Sequence, residues 1–406
     1  MSISRRQFIL AASAAGTLGL GAYSYRRGIR IPPFHWEPKA AKPNLEPLRY
    51  QSDQAIVLPN STILQSFWRA TEPQPKLSLN SLRALKTNIE IHNISPKAIL
   101  RVEGADYEEQ ISGTQRNIGV KLSKNKTASL SWSLPVIENG LSFASIGDSG
   151  GDLELAWCIN RAKQLGADFL LHLGDFNYQT SDYQSAIDHF KNAELPVYVS
   201  IGNHDFHDNG GVYGRFLNEI GPLNQAFEIA GNRFVNIDTA AGFLPLSGGH
   251  RGKLLKTLKQ QPPINTIAFT HCPLTDPDPK SHHDIGSDKE RSWFIDQLRS
   301  IGASTMLSGH IHINDRRTIS GIDHLIVGQG LGHQDLLVGQ DHSKIAIGKI
   351  DNAGKLELEL ADLAMPMELH CHPRINTVKE SLRGSEHAPL IESIERACLE
   401  RSKINT

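Results

Sequence analysis

Carboxylate, phenol, amide and imidazole side chains recur in five short motifs of this chain, and together they make a donor set that can hold metal ions. The motifs are Gly147-Asp148-Ser149-Gly150, Gly174-Asp175-Phe176-Asn177-Tyr178, Gly202-Asn203-His204-Asp205, Ala268-Phe269-Thr270-His271 and Gly309-His310-Ile311-His312. Oxygen and nitrogen donors without a thiolate suit two hard-to-borderline ions. Two such ions side by side activate a water, neutralise phosphoryl oxygens and steady both ends of an in-line displacement, so the chemistry they point to is hydrolysis. A single motif would carry little. Gly-His-x-His is commonly an exposed loop, and an aspartate after an apolar run commonly closes a turn or caps a helix.

The elements ahead of the motifs bind them into one site. Phe143–Ile146, Phe169–Leu173, Val197–Ile201, Thr266–Phe269 and Thr305–Ser308 are short runs that read as buried strands. Every ligand candidate except Tyr178 follows such a run within a few residues. In an open α/β sheet, ligands gather in the crevice outside the carboxyl ends of the strands, so the five motifs can meet there. Helices lie between them. Asp152 to Leu165 sets Leu153, Ala156, Trp157 and Asn160 near one face and stops at Gly166, and Trp293 to Ile301 stops in the same way at Gly302.

The order of these motifs resembles the calcineurin-like metallophosphoesterases and, within them, the purple acid phosphatases. Most metallophosphoesterases open on an Asp-x-His pair whose histidine ligates the first metal, and Asp148-Ser149-Gly150 lacks that histidine. Purple acid phosphatases lack it too. They carry a tyrosine three residues after the bridging aspartate, which is the spacing of Tyr178 from Asp175. Ala268 stands where the family usually has valine, a departure that touches packing and not chemistry.

The resemblance covers about residues 141 to 330. It implies Asp148, Tyr178 and His312 on a first metal, Asn203, His271 and His310 on a second, and Asp175 between them. The implied cofactor is a dinuclear centre of Fe(III) with a divalent ion, Fe, Zn or Mn. The implied reaction is hydrolysis of phosphomonoesters, small phosphate esters, by in-line attack of a metal-bound hydroxide. Donor chemistry agrees, because a phenol is a poor ligand until deprotonated and a trivalent ion does that best near neutral pH. Two imidazoles with an amide oxygen suit a divalent ion. The implied fold is α/β, a four-layer β-sandwich flanked by helices and preceded by a small all-β domain.

His204 has a separate part to play. Its neighbour Asn203 faces a metal, which leaves His204 at the rim, where an imidazolium binds phosphate or protonates a leaving alkoxide. Asp205 is close enough in sequence to serve as its orienting carboxylate. His282 and His283, on a polar, Pro-rich loop, resemble the family's outer-sphere histidines. A phosphodiesterase on the same metal site is the alternative, since the loops His207–Gly214 and Thr275–Asp288 decide what fits. A non-catalytic exported protein that binds metal or phosphate is the other; the complete ligand set and His204 argue against it.

Ser4-Arg5-Arg6-Gln7-Phe8-Ile9-Leu10, followed by the small apolar stretch Ala11 to Ala22, resembles a twin-arginine export signal. The apolar run from Phe8 to Ala22 is shorter than the roughly 18 residues of a confident membrane span. Gly19-Leu20-Gly21 offers small residues for cleavage, whereas Arg26, Arg27 and Arg30 disfavour it. Residues 1–30 are therefore a signal or an anchor, and the twin-arginine export machinery is an expected partner. The expected location is the periplasm, or an outward-facing membrane anchor where the signal stays uncleaved, with the thylakoid lumen as another exported setting.

Residues 31–50 are Pro-rich and read as a linker. Residues 51–140 alternate at period two, as at Ile89 and Ile91 and again at Leu130, Trp132 and Leu134, which suggests a small antiparallel β domain. The catalytic domain spans 141–362. A polar tail, 363–406, carries one helix from Pro389 with Leu390, Ile391, Ile394 and Cys398 on a common face. With 42 basic and 43 acidic side chains over 406 residues, no bulk attraction to nucleic acid is implied. Four cysteines are too few for a disulfide scaffold, although export permits bridges. Cys272 reads as a buried apolar residue, and His370-Cys371-His372 lacks a second cluster at ligand spacing.

Overall fold

The computed structural model describes residues 40, 42–135, 140–179, 181–205, 213–240, 249–258, 263–278, 280, 283–330, 343–363, 370–372 and 388–404. The export-signal stretch, most of the expected linker, residues 207–212 of the first specificity loop and His282 lie outside them. Among the described residues no helix is long and apolar enough to cross a membrane.

Alternating burial builds the amino-terminal part. One sheet runs β1 (Leu48–Asp53), β4 (Lys76–Ser81), β9 (Thr127–Ser133), β6 (Ile99–Glu103), antiparallel throughout. The other runs β2 (Ala55–Val57), β3 (Gln65–Ala70), β5 (Leu85–His92), β8 (Gln115–Leu122), β7 (Asp106–Ser112). Their inner faces close on Trp68, Leu79, Ile89, Ile118, Leu130 and Trp132. Two details depart from expectation. The β3–β5 pair is parallel, and β1 begins inside the stretch expected to be linker. Leu45 and Leu48 are buried in this core, so the chain is held before the Pro-rich signal ends.

Two mixed sheets follow. The five-stranded sheet has the order β12 (Val197–Val199), β11 (Phe169–His172), β10 (Leu141–Ile146), β19 (Lys344–Ile350), β20 (Leu356–Asp362). The six-stranded sheet has the order β13 (Gln225–Ile229), β14 (Asn232–Asn236), β15 (Asn265–Thr270), β16 (Ala303–Ser308), β18 (Ile322–Val327), β17 (Asn314–Ile319). The motif-bearing strands are parallel neighbours, β10 with β11 with β12 in one sheet and β15 with β16 in the other. Aromatic rings fill the space between the sheets, with Phe234 edge-on to Phe143 at 5.3 Å and to Phe169 at 5.2 Å. Helices α1 (Leu153–Gln164) and α2 (Asp182–Asn192) belong with the first sheet, where α1 packs on β10 and β11. Short α3 (Gly214–Glu219) leads into β13. Helices α4 (Gly249–Thr257) and α5 (Asp288–Ser300) cover the far face of the second sheet through Leu255, Phe294, Leu298 and Met306. The result is an α/β sandwich of mixed sheets flanked by helices, preceded by an all-β region.

Both forecast helices form, with corrections. Helix α1 buries Leu155, Cys158, Ile159 and Ala162, the i, i+3, i+4, i+7 set, and not the face of Leu153, Trp157 and Asn160. Trp157 stays at the margin and donates its indole N–H to Leu363 O at 3.0 Å. Helix α5 starts five residues before Trp293. Its N-cap Ser287 accepts from Glu290 N at 3.3 Å, a capping pair legible as Ser-x-x-Glu. Past β20, helix α6 (Ala388–Ile404) buries Ile391 and Ile394 and is tied by a Cys371–Cys398 disulfide.

The β region grips the catalytic part at one strand. Val197 opens β12; its N–H donates to Asn93 Oδ1 at 2.7 Å, and its carbonyl accepts from Arg69 at 2.7 Å and from Asn93 Nδ2 at 3.2 Å. Arg69 also donates to Ile220 O at 2.9 Å, and Asn93 to Ala70 O at 2.8 Å. Both side chains are buried, so water cannot replace these bonds. Asn93 further sits at φ 68, a left-handed conformation that asparagine tolerates and alanine resists. Asn93→Ala is therefore expected to cost about 2–4 kcal/mol of unfolding free energy. Urea unfolding measures it, and a change below about 0.5 kcal/mol would mean the pairing is dispensable.

Candidate metal centre

Every motif lies just beyond the carboxyl end of its strand, and the backbone there is bent to aim side chains inward. Asp148, Asp175 and His310 hold φ of 59, 58 and 69, a left-handed conformation that costs non-glycine residues energy and collects at functional sites. Glycines make room beside them. A Cβ on Gly202 would overlap Asp175 Oδ1, and one on Gly309 would overlap Asp148 Oδ2. The carboxylates lie so close to the backbone that they accept its amides: His204 N to Asp175 Oδ1 at 2.9 Å and His310 N to Asp148 Oδ2 at 2.8 Å.

Two clusters share Asp175. In the first, the Tyr178 hydroxyl is 3.4 Å from Asp148 Oδ1, 3.3 Å from Asp175 Oδ2 and 3.2 Å from His312 Nε2. In the second, His271 Nε2 is 2.8 Å from Asn203 Oδ1, 3.1 Å from His310 Nδ1 and 3.4 Å from Asp175 Oδ2. His271 Nδ1 donates to Leu173 O at 2.9 Å, which turns Nε2 toward the cluster as the lone-pair nitrogen when the ring is neutral. The ligand atoms of Asp148, Asp175 and His271 all lie within 4.8 Å of one another. Two imidazole nitrogens, an amide oxygen and two carboxylates thus converge lone pair to lone pair. A cation between them satisfies that arrangement. The donor chemistry fits a dinuclear metal site.

Electrostatics gives the same answer. Burial, reinforced by Asp175, raises the Asp148 carboxyl to about 7. Burial also opposes charge on Asp175 and on His271, but their mutual attraction wins: Asp175 falls below the ordinary carboxylate range and His271 rises to about 10. Burial beside His271 lowers His310 to about 3. A proton on His271 therefore offsets the buried negative charge.

Buried groups that contact no substrate space fix these loops. Asp205 corrects one expectation: its carboxylate accepts from Gly202 N at 2.7 Å, Asp175 N at 2.9 Å and Phe176 N at 2.9 Å, and it does not orient the His204 ring. Three backbone amides are stronger claimants than one rim imidazole. Asp182 accepts from Tyr178 N and Gln179 N, both at 3.0 Å. His172, lowered by burial to about 3, is neutral; Gly174 N donates to its Nδ1 at 3.3 Å and its Nε2–H donates to Ser149 Oγ at 2.8 Å. The residues Asp182, His172 and Ser149 were not singled out from sequence. Asp182, at a helix start, offered a signal; a histidine inside an apolar strand offered none.

His204 lies at the rim with its ring against that of Tyr178, centroids 4.5 Å apart. His283 sits edge-on to His310 at 5.5 Å and donates its backbone N–H to Asp276 Oδ2 at 2.8 Å. Cys272 lies beside His271 and His310. Burial raises its thiol, which donates to Thr239 O at 3.3 Å. Cys371 is likewise committed, to its disulfide.

Residues 141–314 match the family described as Calcineurin-like phosphoesterase. No curated protein matches the chain. Solved structures similar to it include a purple acid phosphatase from yellow lupin (Lupinus luteus) seeds, 13% identical, covering 77% of this chain and 72% of that one at a TM-score of 0.45. A dimetal phosphatase from Danio rerio is 15% identical over 56% of this chain and 97% of its own, TM-score 0.40. GAP50, the anchor in the inner membrane complex of Plasmodium, is 15% identical over 56% and 85%, TM-score 0.40.

Metal uptake should release protons in a pH-dependent number. With His271 raised to about 10 and Asp148 to about 7 in the metal-free site, these two groups release about one proton on loading near pH 8 and about two below pH 6, beside the phenolic proton of Tyr178 where it binds as tyrosinate. Affinity then falls as pH falls, and more steeply on the acid side. Calorimetric titration in buffers of different ionisation enthalpy counts the protons. Loading without proton release at pH 8 would mean that His271 is neutral in the free site.

Proposed function

Given a metal-dependent phosphoric ester hydrolase whose residues 141–314 form a calcineurin-like phosphoesterase domain, we propose an exported phosphatase of the purple acid type that hydrolyses phosphomonoesters. The Tyr178 phenol carries this reading. It stands within 3.4 Å of Asp148, Asp175 and His312, where a phenolate with a carboxylate pair suits a trivalent ion. Asp148, Tyr178 and His312 would hold Fe(III), Asn203, His271 and His310 a divalent Fe, Zn or Mn, with Asp175 shared. When bound, the pair supplies Lewis acidity that activates water and offsets the charge on phosphoryl oxygens.

The chain's own groups do the rest. The buried carboxylates of Asp205 and Asp182 keep the ligand loops from relaxing, so no reorganisation is needed as charge develops. His204 at the rim holds a proton for the leaving alkoxide, and His283, beside His310, faces the phosphoryl oxygens. A monoester needs both, because its leaving group is basic and its phosphoryl group carries an extra negative charge. The Cys371–Cys398 disulfide supports export, since such bonds persist in oxidising compartments. The twin arginines Arg5 and Arg6 support the same destination.

A tyrosinate on Fe(III) absorbs visible light. Protein purified from its native compartment should be coloured, with iron in the metal analysis, and Tyr178→Phe should lose the band. A colourless, fully active enzyme holding two zinc or manganese ions would remove the purple acid assignment and leave the phosphoesterase standing.

His204→Ala should slow esters of poor alkoxide leaving groups by about 10²–10⁴-fold and activated aryl esters far less, because the latter hardly need a proton. Equal losses on both would assign His204 to phosphate binding.

A further inference from the structure

A single motif holds His204 from three sides. Asp175 Oδ1 accepts its N–H at 2.9 Å, Asn177 Nδ2 donates to its carbonyl at 3.0 Å, and the Tyr178 ring lies against its imidazole at 4.5 Å with 41° between planes. Phe176 anchors that motif. Phe176 is buried, its ring 5.2 Å from Tyr183, 5.5 Å from Phe190 and 6.1 Å from His172. That anchor leaves residues 175, 177 and 178 on the site side. Asp175 and Tyr178 belong to the metal cluster, whereas the Asn177 amide donates to the His204 carbonyl.

We propose that Asn177 is a positioning residue for His204, fixing the peptide that follows the histidine so that its ring stays on the Tyr178 face. With its N–H tethered by Asp175, the His204 backbone keeps a freedom at its carbonyl end, and drift there shifts the Cα from which the ring projects. Asn177 removes that freedom with a donor; a carbonyl can only accept. This rests on the reading of His204 as the proton source for the leaving group. It assigns Asn177, standing between two ligand candidates, to leaving-group chemistry and not to metal.

The test uses the metal-loaded full chain and two substrates, an alkyl phosphate and an activated aryl phosphate. Asn177→Ala should keep its metal content and its visible spectrum, lose about 10-fold on the alkyl ester and little on the aryl ester. Asn177→Gln, which keeps the amide donor, should recover part of the loss, and Asn177→Ala should add little on a His204→Ala background. Equal loss on both substrates, or full additivity with His204→Ala, would overturn the positioning role. If His204→Ala discriminates between the esters and Asn177→Ala does not, the positioning proposal fails and the proton-donor reading stands. If neither discriminates, the proton-donor reading fails and the proposal with it.

Discussion

Two carboxylates, Asp148 and Asp175, are buried side by side where the two sheets meet, at 0% and 2% exposure, and the rest of the site is arranged around the cost of that. Like charges so close, withdrawn from water, cannot both persist unless something positive joins them. In the protein alone His271 supplies part of the answer, and the neighbouring amides of His204 and His310 supply another part. Left-handed backbone at Asp148, Asp175 and His310 adds local strain of the same kind. The buried negative charge weighs against the fold and is relieved by cations in the cluster. Metal binding and stability of the catalytic part are thus coupled, as expected where ligands are held in place before the metal arrives.

The scaffold must be stiff enough to bear this. Ligand candidates come from both sheets, Asp148 and Asp175 beyond β10 and β11, His271, His310 and His312 beyond β15 and β16. A slip of one sheet over the other would pull the two clusters apart. Interlocked rings of Phe143, Phe169, Phe227 and Phe234 oppose such a slip, since a close-packed interior deforms little. The β region adds a brace at β12, whose far end leads to Asn203 and His204. Arg69 and Asn93 fasten Val197 there through buried hydrogen bonds. An accessory region thereby touches the chemistry through one strand without contributing a ligand.

Much of the site was legible because its residues sit at a fixed place in a periodic pattern. Apolar runs ending in Gly-Asp, Gly-Asn-His or Gly-His-x-His announce both the strand and the ligand behind it. Period-two alternation at Ile89, Ile91, Leu130 and Trp132 announced the β region, though not the parallel β3–β5 pair, which depends on a crossover no local pattern encodes. Where two faces of one helix were both partly apolar, periodicity chose wrongly: α1 buries Leu155 and Cys158 because the sheet, not the helix, decides which stripe is covered. Asp205 was misread for a related reason. Adjacency in sequence suggested His204 as its partner, whereas the loop turns its carboxylate under the amides of Gly202, Asp175 and Phe176.

What stayed illegible is the support beneath the ligands. His172 reads as one polar letter in Phe-Leu-Leu-His-Leu, yet its neutral ring links Gly174 N to Ser149 Oγ and so ties the two aspartate loops together. Neutrality is what makes this work. A charged imidazole would have two donors, and Gly174 N would lose its acceptor; burial, which lowers His172 to about 3, secures the neutral ring, and the Gly174 amide sets its tautomer. The same low-dielectric setting thus holds one histidine neutral as a strut and, where Nε2 stands 3.4 Å from Asp175 Oδ2, lets that carboxylate raise His271 to about 10. Opposite protonation of two buried imidazoles follows from their distance to a single carboxylate. That distance is set by strands which the sequence declares and by loops which only the folded chain reveals.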